Sequence, residues 1–248
     1  MSWLKGFTNL ALLQSMVPIK SYYFSINYPS WSISTEAFFY LLFPGLISIF
    51  SKSNRIVWII GSMFVLGMML LTVNCNEQWF FYVSPLSRMV DFIIGIGIFQ
   101  VYTQTGSVSR SKANILEITS VLLLLGLLWF HSSIPIRFRY AAYYWPAIAL
   151  IIYAFAFQKG LLSKLLSLRF FTVLGEISFA FYMLHFLVIR LFSGLGNQHR
   201  APSLSLNILI LIISTLVLSL AVHYRIEKPL TRFIKQKAKL NSRNSNEH

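Results

Sequence analysis

Apolar runs of membrane-crossing length recur along this 248-residue chain and constrain its fold more than any other feature. A helix needs about 20 mostly apolar residues to cross a hydrocarbon core about 30 Å thick. Seven runs meet or approach that length: 33–50, 56–73, 86–103, 115–130, 141–157, 173–192 and 204–224. They lack the strict alternation of a half-buried strand, and lipid admits only helices or closed barrels, so helices are expected. Hydrophobic residues make up 56% of the chain and charged residues 11%, where a soluble domain carries about a quarter charged. The expected fold class is therefore all-α, a polytopic transmembrane helical bundle of about seven spans. Residues 1–32 read as a lead-in segment, 33–224 as the membrane domain and 225–248 as a basic tail. The stretch 7–17 is too short to cross and is interrupted by Asn9 and Gln14, with no small-residue cleavage site after it. An interfacial or re-entrant helix is expected there rather than a signal peptide.

The net charge of +14 raises nucleic acid as a partner, but the basic residues lie between apolar runs and in the tail, where membrane topology signals belong. No nucleic-acid partner is expected, and membrane lipid is. Fourteen Lys and Arg fall on the side of the C-terminal tail and six on the other, with Arg190 in or at the edge of a span. The asymmetry predicts a cytoplasmic C-terminus. Seven spans then place Met1 outside the cytoplasm, which leads to the expectation of an odd number of further helices upstream. Cys75 is the sole cysteine, so no internal disulfide forms and no compartment follows from it.

Ionisable groups inside spans cost several kcal/mol, about 2.5–3.5 on insertion scales, so each needs a partner, a cavity or a function. Three clusters qualify. Ser32, Glu36 and Tyr40 follow Pro29-Ser30-Trp31 at intervals of four, which places hydroxyl, carboxylate and phenol on one helical face. A plainer alternative makes Ser32 an N-cap with Glu36 in the first turn. Arg88 and Asp91, three apart, are placed to form an internal ion pair on a helix whose Gly95 and Gly97 permit close packing. Ser178, Tyr182 and His185 share a face of the sixth run, which reads either as a cavity lining or as interhelical hydrogen bonding. No metal-ligand spacing, phosphate loop or nucleophile elbow is present, and His131, His199, His223 and His248 fall at span ends or in loops.

These residues resemble the signature of membrane acyltransferase family 3. Trp31-Ser32-Ile33-Ser34-Thr35-Glu36 with Phe39-Tyr40-Leu41 and Pro44 is similar to its Trp-Ser-Leu-Ser-x-Glu, Phe-Tyr-Leu, Pro pattern. The stretch from Arg88 through Asp91 to Gly95 looks like Arg-x-x-Glu/Asp-Phe-x-x-Gly, and that from Leu174 to His185 like Leu-Gly-x-Ile-Ser-Tyr-x-x-Tyr-x-x-His. Arg225-Ile226-Glu227-Lys228-Pro229 is similar to the closing Ile-Glu-Lys-Pro. Four matches in order cover nearly the whole chain.

The resemblance implies a ten-span fold of which these are the later helices, three preceding Met1. It also implies transfer of an acyl group, acetyl in the first instance, from acyl-CoA to a hydroxyl of an extracytoplasmic glycan such as a lipopolysaccharide or other polysaccharide, in a bacterial inner membrane. No bound cofactor is expected; acyl-CoA is a co-substrate. The family's basic-to-His motif and Arg-rich loop have no counterpart in this sequence, so this chain by itself is expected to be inactive. By that resemblance Glu36 and His185 are candidate catalytic residues, and Trp31, Ser32, Tyr40, Ser178, Tyr182, Arg88 and Asp91 candidate substrate contacts. A solute transporter and a non-catalytic membrane partner are the alternatives.

Overall fold

A computed structural model describes residues 3–51, 67, 76–196 and 204–244. The secondary structure there is helical, with no strand among the described residues. The expected run 56–73 lies almost wholly outside them. Two compact units divide the chain, Met1–Ser167 and Leu168–His248.

The first unit begins with α1 (Trp3–Leu10), whose Trp3, Phe7 and Leu10 form an exposed apolar stripe of the kind that rests in a membrane interface. The helix stops short of the expected stretch 7–17. Leu12 takes a left-handed φ of 55°, and a 3-10 turn follows at Gln14–Met16. After the short α2 (Lys20–Tyr23), α3 spans Trp31–Ser51. Its inward residues are Trp31, Ser34 and Thr35, all buried. Ser34 Oγ donates to the Leu12 carbonyl at 2.6 Å and lies 2.7 Å from Ser15 Oγ, while the Trp79 indole donates to the Ser15 carbonyl at 2.9 Å. Thr35 Oγ1 donates to the Val83 carbonyl at 3.2 Å. Each hydroxyl thus satisfies backbone that the turn at Gln14–Met16 or the π-helical turn Trp79–Val83 leaves open. Ser32 does not cap the helix: its hydroxyl donates back to the Pro29 carbonyl at 3.0 Å, because α3 already begins at Trp31.

Pro85 sits at the first position of α4 (Pro85–Thr105), where its missing N–H costs nothing, and Gly106 at φ 67° ends it. Then come α5 (Arg110–Trp129), the short α6 (Ile136–Arg139), α7 (Trp145–Ala156) and α8 (Leu161–Leu166). α3 packs on α4, α4 on α7, and α7 on α5.

The second unit pairs α9 (Arg169–Gly196) with α10 (Leu204–Val222). A π-helical turn at His223–Glu227 joins α10 to α11 (Lys228–Asn244).

Four helices among the described residues are long and apolar enough to cross a membrane: Trp79–Thr105, Arg110–Trp129, Arg169–Gly194 and Ser205–Ala238. Large apolar side chains such as Leu122, Leu191, Ile213 and Val217 stay exposed along them, as lipid requires. The protein is a multi-pass helical membrane protein. The expected run 141–157 is corrected by the structure. A 3-10 turn at Ala142–Tyr144 leads into the 12 residues of α7, and the resulting apolar helix Ala142–Ala156 is shorter than the four above and falls short of a full crossing.

Candidate functional site

In the first unit, Arg88 and Asp91 lie one turn apart on α4, and Arg88 Nε meets Asp91 Oδ2 at 3.1 Å. The other carboxylate oxygen accepts the indole N–H of Trp145, the first residue of α7. A second guanidinium nitrogen of Arg88 reaches the Tyr140 carbonyl at 3.5 Å. Phe80 and Phe81 pack with Tyr140, Ala142 and Trp145, which holds the indole in place. Asp91 therefore ties two elements together while its side chain remains about a third exposed, at 32%.

Arg88, Asp91, Tyr140 and Trp145 form the polar end of a cavity of about 290 Å³ whose remaining wall is apolar, built from Ile94, Ile98, Ile148 and Ile152. Gly95 and Ala149, small residues on facing helices, leave its middle open. Tyr144 also lines it, and its phenol is hydrogen-bonded to His131 Nδ1. Fixed donors at one end and aliphatic walls at the other suit a small ligand with one polar group and a short hydrocarbon part.

A separate polar centre occupies the second unit. His223 Nδ1 lies 2.9 Å from Glu227 Oε2, and its Nε2 lies 3.5 Å from Glu176 Oε2 on α9. Lys228 Nζ approaches the same Glu176 oxygen at 3.8 Å and stands 4.8 Å from the centre of the Tyr224 ring. The π-helical turn places His223, Glu227 and Lys228 together, and Glu176 joins them to α9.

The other candidate residues are distributed as follows. Trp31 is in the core, its ring 4.7 Å from that of Tyr82. Ser32 is half-buried, while Glu36 and Tyr40 are exposed, so the face they share is the outer one of α3 within this unit. On α9 the buried face carries Ile177, Ala180 and Val188; Ser178 and Tyr182 lie on an exposed one. Ser178 Oγ donates to the Gly175 carbonyl at 2.8 Å, and His185 Nδ1 to the Tyr182 carbonyl at 2.6 Å. The Tyr182 and His185 rings are 5.9 Å apart. The Ser178 hydroxyl and the Nδ1 side of the His185 imidazole are thus spent on their own helix, the local bonding that serine commonly makes in apolar helices.

A family profile described as an acyltransferase domain matches residues 2–224. The chain belongs to acyltransferase family 3. It is 33% identical over 204 residues to Acyltransferase MdmB of Streptomyces mycarofaciens, an alignment that covers 73% of this chain and 50% of that protein. The chain thus spans about half the length of the curated relative it matches. No solved structure matches it.

Within this family 3 member, two of the motifs that carry the resemblance coincide with the polar centres: Arg88 and Asp91 with the first, Glu227 and Lys228 with the second. His223 and Glu176 enter only through geometry, although the spacing of four between His223 and Glu227 is a signal in the sequence. Glu117 is the acidic residue that sequence reasoning passes over. It is fully buried on α5, where its carboxylate accepts N–H groups of Gly160 at 3.0 Å, Leu162 at 2.9 Å and Ser163 at 3.1 Å, together with the Ser163 hydroxyl. A lone glutamate two positions inside the run 115–130 is the clue to it.

Proposed function

We propose that the protein transfers an acyl group, acetyl in the first instance, from acyl-CoA to a hydroxyl of an extracytoplasmic glycan. The observation that carries this is the joint presence of the family match over residues 2–224 and the Arg88–Asp91–Trp145 cavity. In the reaction the sugar oxygen attacks the thioester carbonyl, a carbon–oxygen bond forms, the carbon–sulfur bond breaks and CoA leaves as a thiolate. The hydroxyl proton passes to a base, and developing charge on the carbonyl oxygen needs fixed donors. Arg88 spends part of its donor set on Asp91 and Tyr140 and keeps the rest for an oxygen in the cavity. Asp91 holds both Arg88 and Trp145 in position. The aliphatic wall accepts the acyl chain. Glu36 and His185 are the carboxylate and imidazole to examine for the proton.

The location proposed is a bacterial cytoplasmic membrane with the C-terminal tail in the cytoplasm, supported by the fourteen-to-six asymmetry of basic residues. Acyl-CoA, an anionic donor, is then met on the basic side.

The test is acylation of surface glycan, measured by mass spectrometry in cells that lack the gene and receive the complete coding sequence or a variant of it. Asp91→Asn is expected to lower acylation about 100-fold, since a misplaced donor group costs that much. Undiminished acylation in Asp91→Asn removes the cavity from the reaction, and undiminished acylation in both Glu36→Gln and His185→Ala removes those two. Solute flux into proteoliposomes with no acyl transfer overturns the reading as a whole.

A further inference from the structure

The helix after the last span is more polar than any span and is amphipathic over its first two turns. In α11, Lys228, Arg232 and Lys235 recur at intervals of four and three, and the sequence is basic again at 239 and 243, so one stripe of the helix is continuously cationic. The opposite stripe carries Leu230, Phe233 and Ile234, at 55%, 62% and 57% exposure, and ends at Lys237, whose long stem can lift its ammonium to the headgroups. A helix with one cationic face and one apolar face is built for the boundary between lipid headgroups and acyl chains.

Its position agrees. α10 has 19 residues and spans about 29 Å, close to the full hydrocarbon thickness. The chain then enters the π-helical turn His223–Glu227 and meets Pro229, which has no N–H for the Arg225 carbonyl. Two departures from regular helical bonding thus coincide where the span runs out, and helices bend at such places. Lys228 is engaged with Glu176, whereas Arg232, Lys235 and Lys237 are exposed.

We infer that α11 is an interfacial helix that docks on anionic phospholipid headgroups of the same bilayer that holds α10, with Leu230, Phe233 and Ile234 seated among the upper acyl chains. Charge complementarity selects the occupant, since a zwitterionic surface offers no net charge to this cationic stripe. This docking is independent of the acyl-transfer chemistry.

The experiment uses the whole chain in lipid nanodiscs, with Cys75→Ser and Ile234→Cys carrying an environment-sensitive fluorophore. Discs of phosphatidylcholine alone are compared with discs containing about 30% phosphatidylglycerol, a fraction that sets up the negative surface potential that basic segments recognise. The inference expects blue-shifted emission in the anionic discs, quenching there by a lipid spin-labelled near the headgroup, and reversal of both at about 0.5 M salt, where screening shortens to a few ångströms. Arg232→Glu with Lys235→Glu is expected to reduce the docking equilibrium constant at least 25-fold, about fivefold for each position. Identical emission in the two kinds of disc overturns the inference. Blue-shifted emission that the spin-labelled lipid does not quench also overturns it, because the stripe is then covered by protein. Salt reversal on the unsubstituted stripe needs no charge variant, so the outcome is decided even if the double substitution fails to fold.

Discussion

Asp91 and Glu117 are both carboxylates on helices of the same unit, and they are satisfied in opposite ways. Asp91 faces a cation and an indole, stands at the wall of a cavity and is about one-third exposed. Glu117 has no cation on it among the described residues, is sealed from solvent, and is held by three backbone N–H groups and a hydroxyl at the start of α8. Gly160 completes that cradle, since a Cβ there would collide with the Glu117 carboxylate. Its φ of −82° is open to any residue, so closeness of approach, not backbone conformation, is what requires glycine. A closed carboxylate with every lone pair matched holds a connection in place, whereas an open one with lone pairs to spare, beside a guanidinium with donors to spare, has room for a ligand. The difference separates scaffold from site without reference to any motif.

The sharpest way to break the comparison is to give Glu117 the treatment that an active-site carboxylate would tolerate in shape. Glu117→Gln keeps the volume but turns an NH2 group toward N–H and O–H donors. A loss of about 3–5 kcal/mol is expected, the range for removing one partner from a buried charged cluster, read as thermal unfolding in detergent. Asp91→Asn should behave in the reverse manner, with an unfolding midpoint near the parent and transfer down about 100-fold. If Glu117→Gln unfolds like the parent, or Asp91→Asn unfolds like Glu117→Gln, the distinction collapses.

Gly160→Ala comes next, at about 1–3 kcal/mol for overpacking. Glu117→Ala in the same chain should relieve it, and a double-mutant cycle measures that coupling; additive losses would mean that the carboxylate is not what the new methyl meets. The smallest effect concerns Tyr23, where burial raises the phenol above its ordinary value of about 10. The neutral phenol therefore contributes stability that is fully present below pH 10 and is lost as pH climbs through the raised folded value. Tyr23→Phe should flatten the alkaline decline of the unfolding midpoint and leave neutral pH nearly unchanged.

How much of this the sequence discloses depends on the range over which an interaction acts. Apolar length locates α3, α4, α5, α9 and α10 because it is set by one segment and the lipid. It overstates the run 141–157, where Tyr144, Trp145 and Pro146 put a turn and a helix start inside a stretch that is apolar throughout. Arg88 and Asp91 pair at the spacing of three that their helix dictates, but Trp145 lies 54 positions from Asp91 and nothing local announces it. Shared faces are legible and their direction is not. Ser32, Glu36 and Tyr40 do line one side of α3, while it is Ser34 and Thr35 that face the turns around them. Glu117 is hardest, because its partners are backbone amides, which every residue but proline possesses, so pairing leaves no mark in residue type beyond Gly160.

The π-helical turn at His223–Glu227 has one more consequence. A helix advances about 100° per residue, so such a turn, equivalent to one residue inserted into the helix, sets the azimuth of everything beyond it. α11 and its cationic stripe are aimed by that one residue. Deleting it would leave the tail's composition and length of charge almost untouched and yet swing the stripe by more than a quarter of a circle, making the register of the chain at residues 223–227 as consequential for the tail as the lysines themselves.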